Sequence, residues 1–261
     1  MVRAGFDGVG FQLNGWLVGN DRQIGSSGVA GFAFGQSQGQ QQLDQSYDHN
    51  HSRNTEGMLY AGTLNGNWYT QGRIGFGYFQ QDVNRQLLLG TSAQGVGTTY
   101  SGNYNVAYGE TGLHLNWAGS RIMPFVNVEY ANIDRGGFAE QGAGGFGLQA
   151  NTQTLDRWRA GVGLRANHHW DFGSGRALDF NASAQFQRTL ASRGDVFEAS
   201  FVGLQQWQPL VGIGLSRYSG VLNVGLDAKL SGRTSLNFAY DYENGQRDQA
   251  QMLSARWVMV F

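Results

Sequence analysis

The feature that most restricts what this chain can fold into is an alternation of period two that persists for nine or more residues at a time. Leu236, Phe238, Tyr240 and Tyr242 alternate with Asn237, Ala239, Asp241 and Glu243. Leu222, Val224, Leu226, Ala228 and Leu230 alternate with Asn223, Gly225, Asp227 and Lys229, and Leu178, Phe180, Ala182, Ala184 and Phe186 with Asp179, Asn181, Ser183, Gln185 and Gln187. Successive side chains of a strand point to opposite faces, whereas a helix repeats every ~3.6 residues, so the pattern specifies strands with one apolar and one polar face. About eleven such segments are expected, centred near Leu13, Phe32, Ala61, Phe76, Thr111, Val128, Val162, Ala182, Val224, Phe238 and Trp257. Their expected length, about 9 to 11 residues, exceeds the ~5 to 6 usual in soluble sheets.

A soluble barrel points its apolar face inward; a membrane barrel inverts this, with lipid outside and a wet lumen. Alternation is blind to the difference, and three other features favour the membrane. The polar faces carry bulky groups of both charge signs. Aromatic residues gather near strand ends, as at Trp68 with Tyr69, Trp117, Trp170, and Tyr240 with Tyr242, in the manner of interfacial girdles. Short connections at Leu64–Asn67, Trp117–Ser120, Asp171–Arg176 and Ser231–Arg233 alternate with long polar ones at Gln36–Thr55, Asn84–Thr98, Asp134–Thr154, Thr189–Gly220 and Glu243–Gln251, placing every long loop at one end. A soluble ligand-binding barrel of lipocalin type is disfavoured, since it leaves Asp227, Lys229 and Asp241 merely exposed.

Composition agrees. Charged residues are 14% of the chain against ~25% in typical globular domains. The 41% hydrophobic fraction is what remains when only one face of each strand must meet lipid. A net charge of -1 gives no footprint for nucleic acid, and the absence of cysteine removes disulfides, thiol nucleophiles and cysteine zinc sites. No apolar run approaches the ~18 residues of a membrane helix. Met1 to Gly5 carries no signal-peptide pattern, so the chain is expected to be either intracellular or a piece of a longer exported precursor.

The chain ends on Phe261, with apolar residues at Leu253, Ala255, Trp257 and Met259 before it. This resembles the terminal signal read by the outer-membrane barrel-assembly machinery. Phe11 to Gly25 with Gly19-Asn20-Asp21-Arg22, Pro124 to Tyr130, Arg159 to Arg165, Val221 to Leu230, Leu236 to Glu243 and Leu253 to Phe261, in this order, resemble the β-domain of the autotransporter (type V secretion) family from its second strand to its twelfth. The resemblance implies an all-β, antiparallel, up-and-down transmembrane β-barrel of about 12 strands, occupying residues 1–261 as one translocator domain, with its first strand truncated or missing here. It implies a non-enzymatic pore, monomeric and without cofactor, in the bacterial outer membrane. Its partners are the lipid bilayer, the linker helix of its own passenger, the assembly machinery and periplasmic chaperones; the passenger lies at the cell surface. Phe197 to Arg217 is a place where a further strand could lie.

Candidate lumen residues follow from the alternation: Arg73, Glu110, His114, Glu129, Arg159, Arg165, Asp179, Asp227, Lys229, Asp241 and Arg256. Gly75, Gly77, Gly161, Gly163 and Gly225 share their face and are expected to widen the lumen or to let a helix approach the wall. Other constellations are weak. His49 and His51 share one side of an extended segment and could hold a metal, but their Gln- and Asn-rich context reads as a solvated loop. His168 and His169 before Trp170 read as interfacial packing. No nucleophile motif is present; Asp134, Asp156, Asp195, Glu198, Ser200, His49 and His51 are hydrolase candidates by location alone. The alternatives to a translocator are therefore an outer-membrane barrel hydrolase or an adhesin acting through its loops.

Overall fold

A computed structural model describes residues 9–43, 48–211, 216–246 and 249–259. Every expected strand centre falls in a long strand: β1 Val9–Ile24, β2 Gly28–Leu43, β3 His49–Asn65, β4 Trp68–Leu89, β5 Ser92–Leu113, β6 Ser120–Arg135, β7 Gln153–Gly173, β8 Arg176–Arg193, β9 Tyr218–Lys229, β10 Thr234–Gly245 and β11 Gln249–Met259. Each pairs antiparallel with its sequence neighbours. The sheet is thus an eleven-strand meander whose edge strands, β1 and β11, are not joined among the described residues. The alternation pattern anticipates this count, with about eleven segments expected.

The face assignment is inverted relative to a soluble core. Among the described residues no large side chain is fully buried, and the core cluster consists of Tyr69, Met123 and Phe125. Phe32, Leu59, Ile74, Val126, Val162, Phe186, Phe238, Leu253 and Trp257 are instead all exposed and share the outer face by register. Water would charge roughly 1.5–3 kcal/mol for each such side chain, whereas hydrocarbon charges nothing. Between neighbouring strands the hydrogen-bonded ladders satisfy the backbone groups that hydrocarbon cannot.

Strands at the long-loop end outrun the expectation. Asn84–Thr98 is not a loop but a hairpin, with pairing continued to Leu89↔Ser92 and a turn at Gly90, whose φ of 64° is a left-handed conformation suited to glycine. Gln36–Thr55 is likewise mostly strand, so His49 and His51 lie in β3, with ring centroids 5.8 Å apart. Outside lipid both faces of a hairpin are wet, so apolar alternation vanishes while backbone pairing continues. One strand is interrupted: β5 stops before His114 and resumes as Leu115–Trp117, beside Pro124 of β6, which brings no N–H to the ladder.

The two longest connections fold on each other. Phe138–Ala139, Leu148–Ala150, Val196–Phe201 and Gln208–Val211 form a separate four-stranded sheet. The strand considered for Phe197–Arg217 therefore exists, but outside the barrel. Arg85 anchors this loop sheet by a double contact to the buried Glu140 carboxylate, at 2.6 Å for each oxygen. Arg135 stacks beneath it against Tyr100, Phe138 and Phe197, at 5.7, 5.0 and 5.5 Å.

Candidate functional site: the concave face

Which face is concave follows from contacts that skip strands. Arg159 of β7 reaches Glu243 of β10 at 3.4 Å, and Arg165 of β7 reaches Glu110 of β5 at 3.1 Å, across one or more intervening strands. Only side chains on the inside of a curled sheet converge in this way. Register then places the remaining candidates. Arg73, Glu129 and Arg159 lie in one row through Tyr108. Asp179, Asp227 and Arg256 lie in another through Asn237, and Arg165 and Asp241 in a third through Ser183 and Asn223. Lys229 shares the face of Asp227 two residues away, and His114 sits against Tyr69 at 4.9 Å between centroids. All eleven candidates therefore stand on the concave face.

The centre of that face is a polar knot absent from the candidate set except for its two charges. The Glu110 side chain is 0% exposed. Its carboxylate accepts hydrogen bonds from Tyr69 at 2.8 Å, Gln71 at 2.9 Å, Tyr108, and the Arg165 guanidinium at 3.1 and 3.3 Å. Phe125 lies 4.7 Å under that guanidinium. Burying a carboxylate is costly unless its lone pairs are filled, and here four side chains fill them. Tyr69, Gln71 and Tyr108 were legible in principle, since each lies an even number of residues from Arg73 or Glu110. Tyr69, expected with Trp68 in the girdle, is instead 7% exposed and faces inward, while Trp68 faces lipid.

The rest of the wall is held differently on its two sides. On β4–β7 the inner face carries Arg73, Arg85, Arg121, Arg135, Arg157, Arg159 and Arg165 against Glu110 and Glu129. On β8–β11 it carries Asp179, Asp227, Asp241 and Glu243 against Lys229 and Arg256. Glu129 pairs with Arg159 at 2.7 Å and Arg157 at 3.7 Å. Asp227 is held by the amides of Asn181 and Asn237, at 3.2 and 2.5 Å, and Asp241 by the Asn223 amide at 2.5 Å. Asp179 contacts His169 at 2.6 Å.

The inner glycines do not leave open space as expected. Gly77 lies under Tyr104, a Cβ on Gly163 would come 2.5 Å from Phe125, and one on Gly161 would come 2.2 Å from Gln185 Nε2 and 2.7 Å from Asn127. Gly75 would meet Val106 at 2.9 Å, and Gly225 alone of the five is free of contacts under 3.4 Å. Tyr60 over Gly31, Phe79 over Gly102 and Tyr69 over Gly112 repeat the arrangement between directly paired residues. These glycines seat rings against the wall, a cross-strand device that pins register.

The chain matches the Autotransporter beta-domain family across residues 2–241. It belongs to that family. The autotransporter barrel of this chain is similar in fold to the translocator domain of autotransporter NalP from Neisseria meningitidis, with a TM-score of 0.73 at 14% identity, covering 97% of this chain and 81% of that one. It is similar also to the β-domain of the Bordetella autotransporter BrkA, with a TM-score of 0.64 at 17% identity, covering 97% and 92%. A probable outer membrane protein of Chlamydia pneumoniae, pmp21, is 28% identical over 142 residues, which is 52% of this chain and 9% of that protein. The chain thus spans about a tenth of the length of this relative, at 9%. These findings put the autotransporter domain in the bacterial outer membrane, embedded in lipid and serving a passenger.

The hydrolase candidates do not assemble a site. Ser200 donates to the Phe201 carbonyl, Asp156 accepts from Tyr130 and Asn132, Asp134 from Thr154, Asp195 from Ser192, and Glu198 from Asn151. Among the described residues no group of three or more His, Asp or Glu side chains could hold a metal. His168 packs on Trp170 at 4.3 Å at the short-turn end, and its Nδ1 lies 2.7 Å from Ser120 Oγ. In the terminal motif Leu253, Ala255, Trp257 and Met259 point outward on β11, while Phe261 lies outside the described residues, as does the Met1–Gly5 segment.

Proposed function

We propose that this domain anchors an N-terminal passenger and exports it across the outer membrane along the concave face. Arg73, Glu110, His114, Glu129, Arg159, Arg165, Asp179, Asp227, Lys229, Asp241 and Arg256 line that route. The observation that carries the proposal is the convergence of charged and amide groups on one face of a lipid-facing sheet. A hydrated wall of this kind suits an unfolded or helical segment, which needs polar groups to replace water as it crosses. The domain works without cofactor and without a chemical step: the inner carboxylates Glu110, Glu129, Asp227 and Asp241 are each held by arginines, tyrosines or side-chain amides. The outward apolar ladder on β11 is the docking signal for the barrel-assembly machinery, with periplasmic chaperones delivering the chain and the finished barrel acting as a monomer.

The test uses the full-length protein in a Gram-negative host. Protease added to intact cells should digest the passenger, while a variant deleted for residues 218–259 should keep it protected. A passenger that reaches the surface equally well without those strands would overturn the proposal.

A further inference from the structure

We propose that the lipid-facing side of β8 and β9 holds the phosphorylated head of an outer-leaflet lipid, at the end of the barrel that carries the long connections. This rests on the outer-membrane placement of the domain and not on the export reading. Arg188 of β8 lies on the outer face, since its register partners are Ala160 and Tyr218 and the next outward residue along its strand is the exposed Phe186. Arg217 is exposed in the bend that leads into β9. The two guanidiniums converge on one ring, at 5.7 and 5.9 Å from the centre of Tyr218, and that ring stacks on Phe186 at 5.8 Å. Neither arginine has a carboxylate partner among the described residues. The nearby acids are engaged elsewhere: Asp156 stands opposite Arg193 and accepts from Tyr130 and Asn132, Asp134 accepts from Thr154, Asp195 from Ser192, and Glu198 from Asn151. Glu243 points into the lumen, where it meets Arg159. From residue 199 to residue 226 the sequence contains no Asp or Glu.

The level of the two arginines matters as much as their charge. Trp158, whose ring packs on Tyr130 at 4.8 Å, marks the aromatic girdle at this end, and Arg188 is level with Ala160, the next outward residue of β7 towards the hydrocarbon. A cation at that depth is costly without an anion, and the planar fork of arginine matches phosphate. Below it, Ala184 and Ala182 continue the outer face of β8 between Leu164 of β7 and Leu222 of β9, a low track for an acyl chain. A Cβ on Gly220, beside Phe186, would meet nothing within 4 Å. Cations above an apolar track fit an amphiphile with an anionic head, whereas a soluble anion would leave the track unused.

The test uses the full-length protein, folded in dodecyl maltoside and freed of native lipid, and measures binding of fluorescent diphosphorylated lipid A, of its dephosphorylated form and of phosphatidylcholine with the same label. The phosphorylated lipid should bind, and the other two should not compete with it. Arg188→Gln with Arg217→Gln should weaken that binding by about tenfold or more. Arg176→Gln with Arg233→Gln makes the same charge change at the short turns and should leave binding unchanged. Heat-modifiable mobility verifies that each variant forms its barrel. Arg217→Gln alone, outside the ladder, should show a several-fold loss and serves where the double variant does not form. Equal binding of the dephosphorylated lipid, undiminished binding by the Arg217 variants, or the same loss in the control pair overturns the proposal. So does displacement of the lipid by inorganic phosphate, which would make the site one for a free anion.

Discussion

Glu110 is the residue whose removal the structure makes most costly. In Glu110→Gln the shape is kept, and the new amide can still meet Tyr69 and Tyr108, but Arg165 loses its only carboxylate among the described residues. Breaking one partner of a fully buried ion pair costs ~3–5 kcal/mol. Glu110 is 0% exposed but Arg165 is 30% exposed, so part of the stranded charge is relieved by lumen water. The expected loss is therefore about 3 kcal/mol. Arg165→Met strands Glu110 instead, a carboxylate left with three neutral donors, and should cost a similar amount. The double variant should recover about 2 kcal/mol relative to the sum, because neither charge is then left alone. The assay is urea unfolding of the detergent-folded barrel at pH 7, read by heat-modifiable gel mobility. Losses that add to within about 0.5 kcal/mol would show that the two groups do not support one another.

Three further outcomes follow from other contacts. Gly77→Val should destabilise the barrel by about 1–3 kcal/mol in the same assay, and Tyr104→Ala should be less damaging in that background than alone, since the ring occupies the added volume. Glu140→Gln should release the loop sheet from Arg85, seen as faster cleavage between residues 140 and 147 by external protease with barrel mobility unchanged. At the long-connection end of β7, beyond Trp158, the Asn132 amide and the Tyr130 hydroxyl hold the Asp156 carboxyl below its ordinary range. A depressed carboxylate contributes stability that is present above its unfolded value of about 4 and is lost as pH falls through its folded one. Asn132→Ala should therefore flatten the stability profile below about pH 4, and an unaltered acid limb in that variant would refute the assignment.

What the sequence revealed and what it hid divide along a physical line. Where lipid lies on one side and water on the other, alternation is enforced, so β8 to β11 and inward charges such as Asp179, Asp227 and Asp241 are readable residue by residue, whereas Arg121 and Arg157 on the same face are not singled out by it. Beyond the membrane that enforcement stops: Asn84–Thr98 and Gln36–Thr55 are polar on both faces, and only backbone pairing reveals them as strands. The loop sheet was hidden for another reason, since Phe138, Phe197 and Glu140 meet Arg135 and Arg85 through contacts distant in sequence. The inner glycines were assigned to the right face but given the wrong role. Whether Gly77 opens space or seats Tyr104 depends on register across two strands, which one strand's pattern does not encode.

The claim on which everything else rests is that this chain crosses the outer membrane with its long connections outside and its short turns inside. Single cysteines in an otherwise cysteine-free chain test it directly: Gly144→Cys and Gln206→Cys in the long connections, Ser174→Cys and Gly232→Cys in the short turns. A membrane-impermeant maleimide applied to intact cells should label the first two, and the second two only after the outer membrane is opened. Equal labelling of all four in intact cells, or of none, would contradict the account.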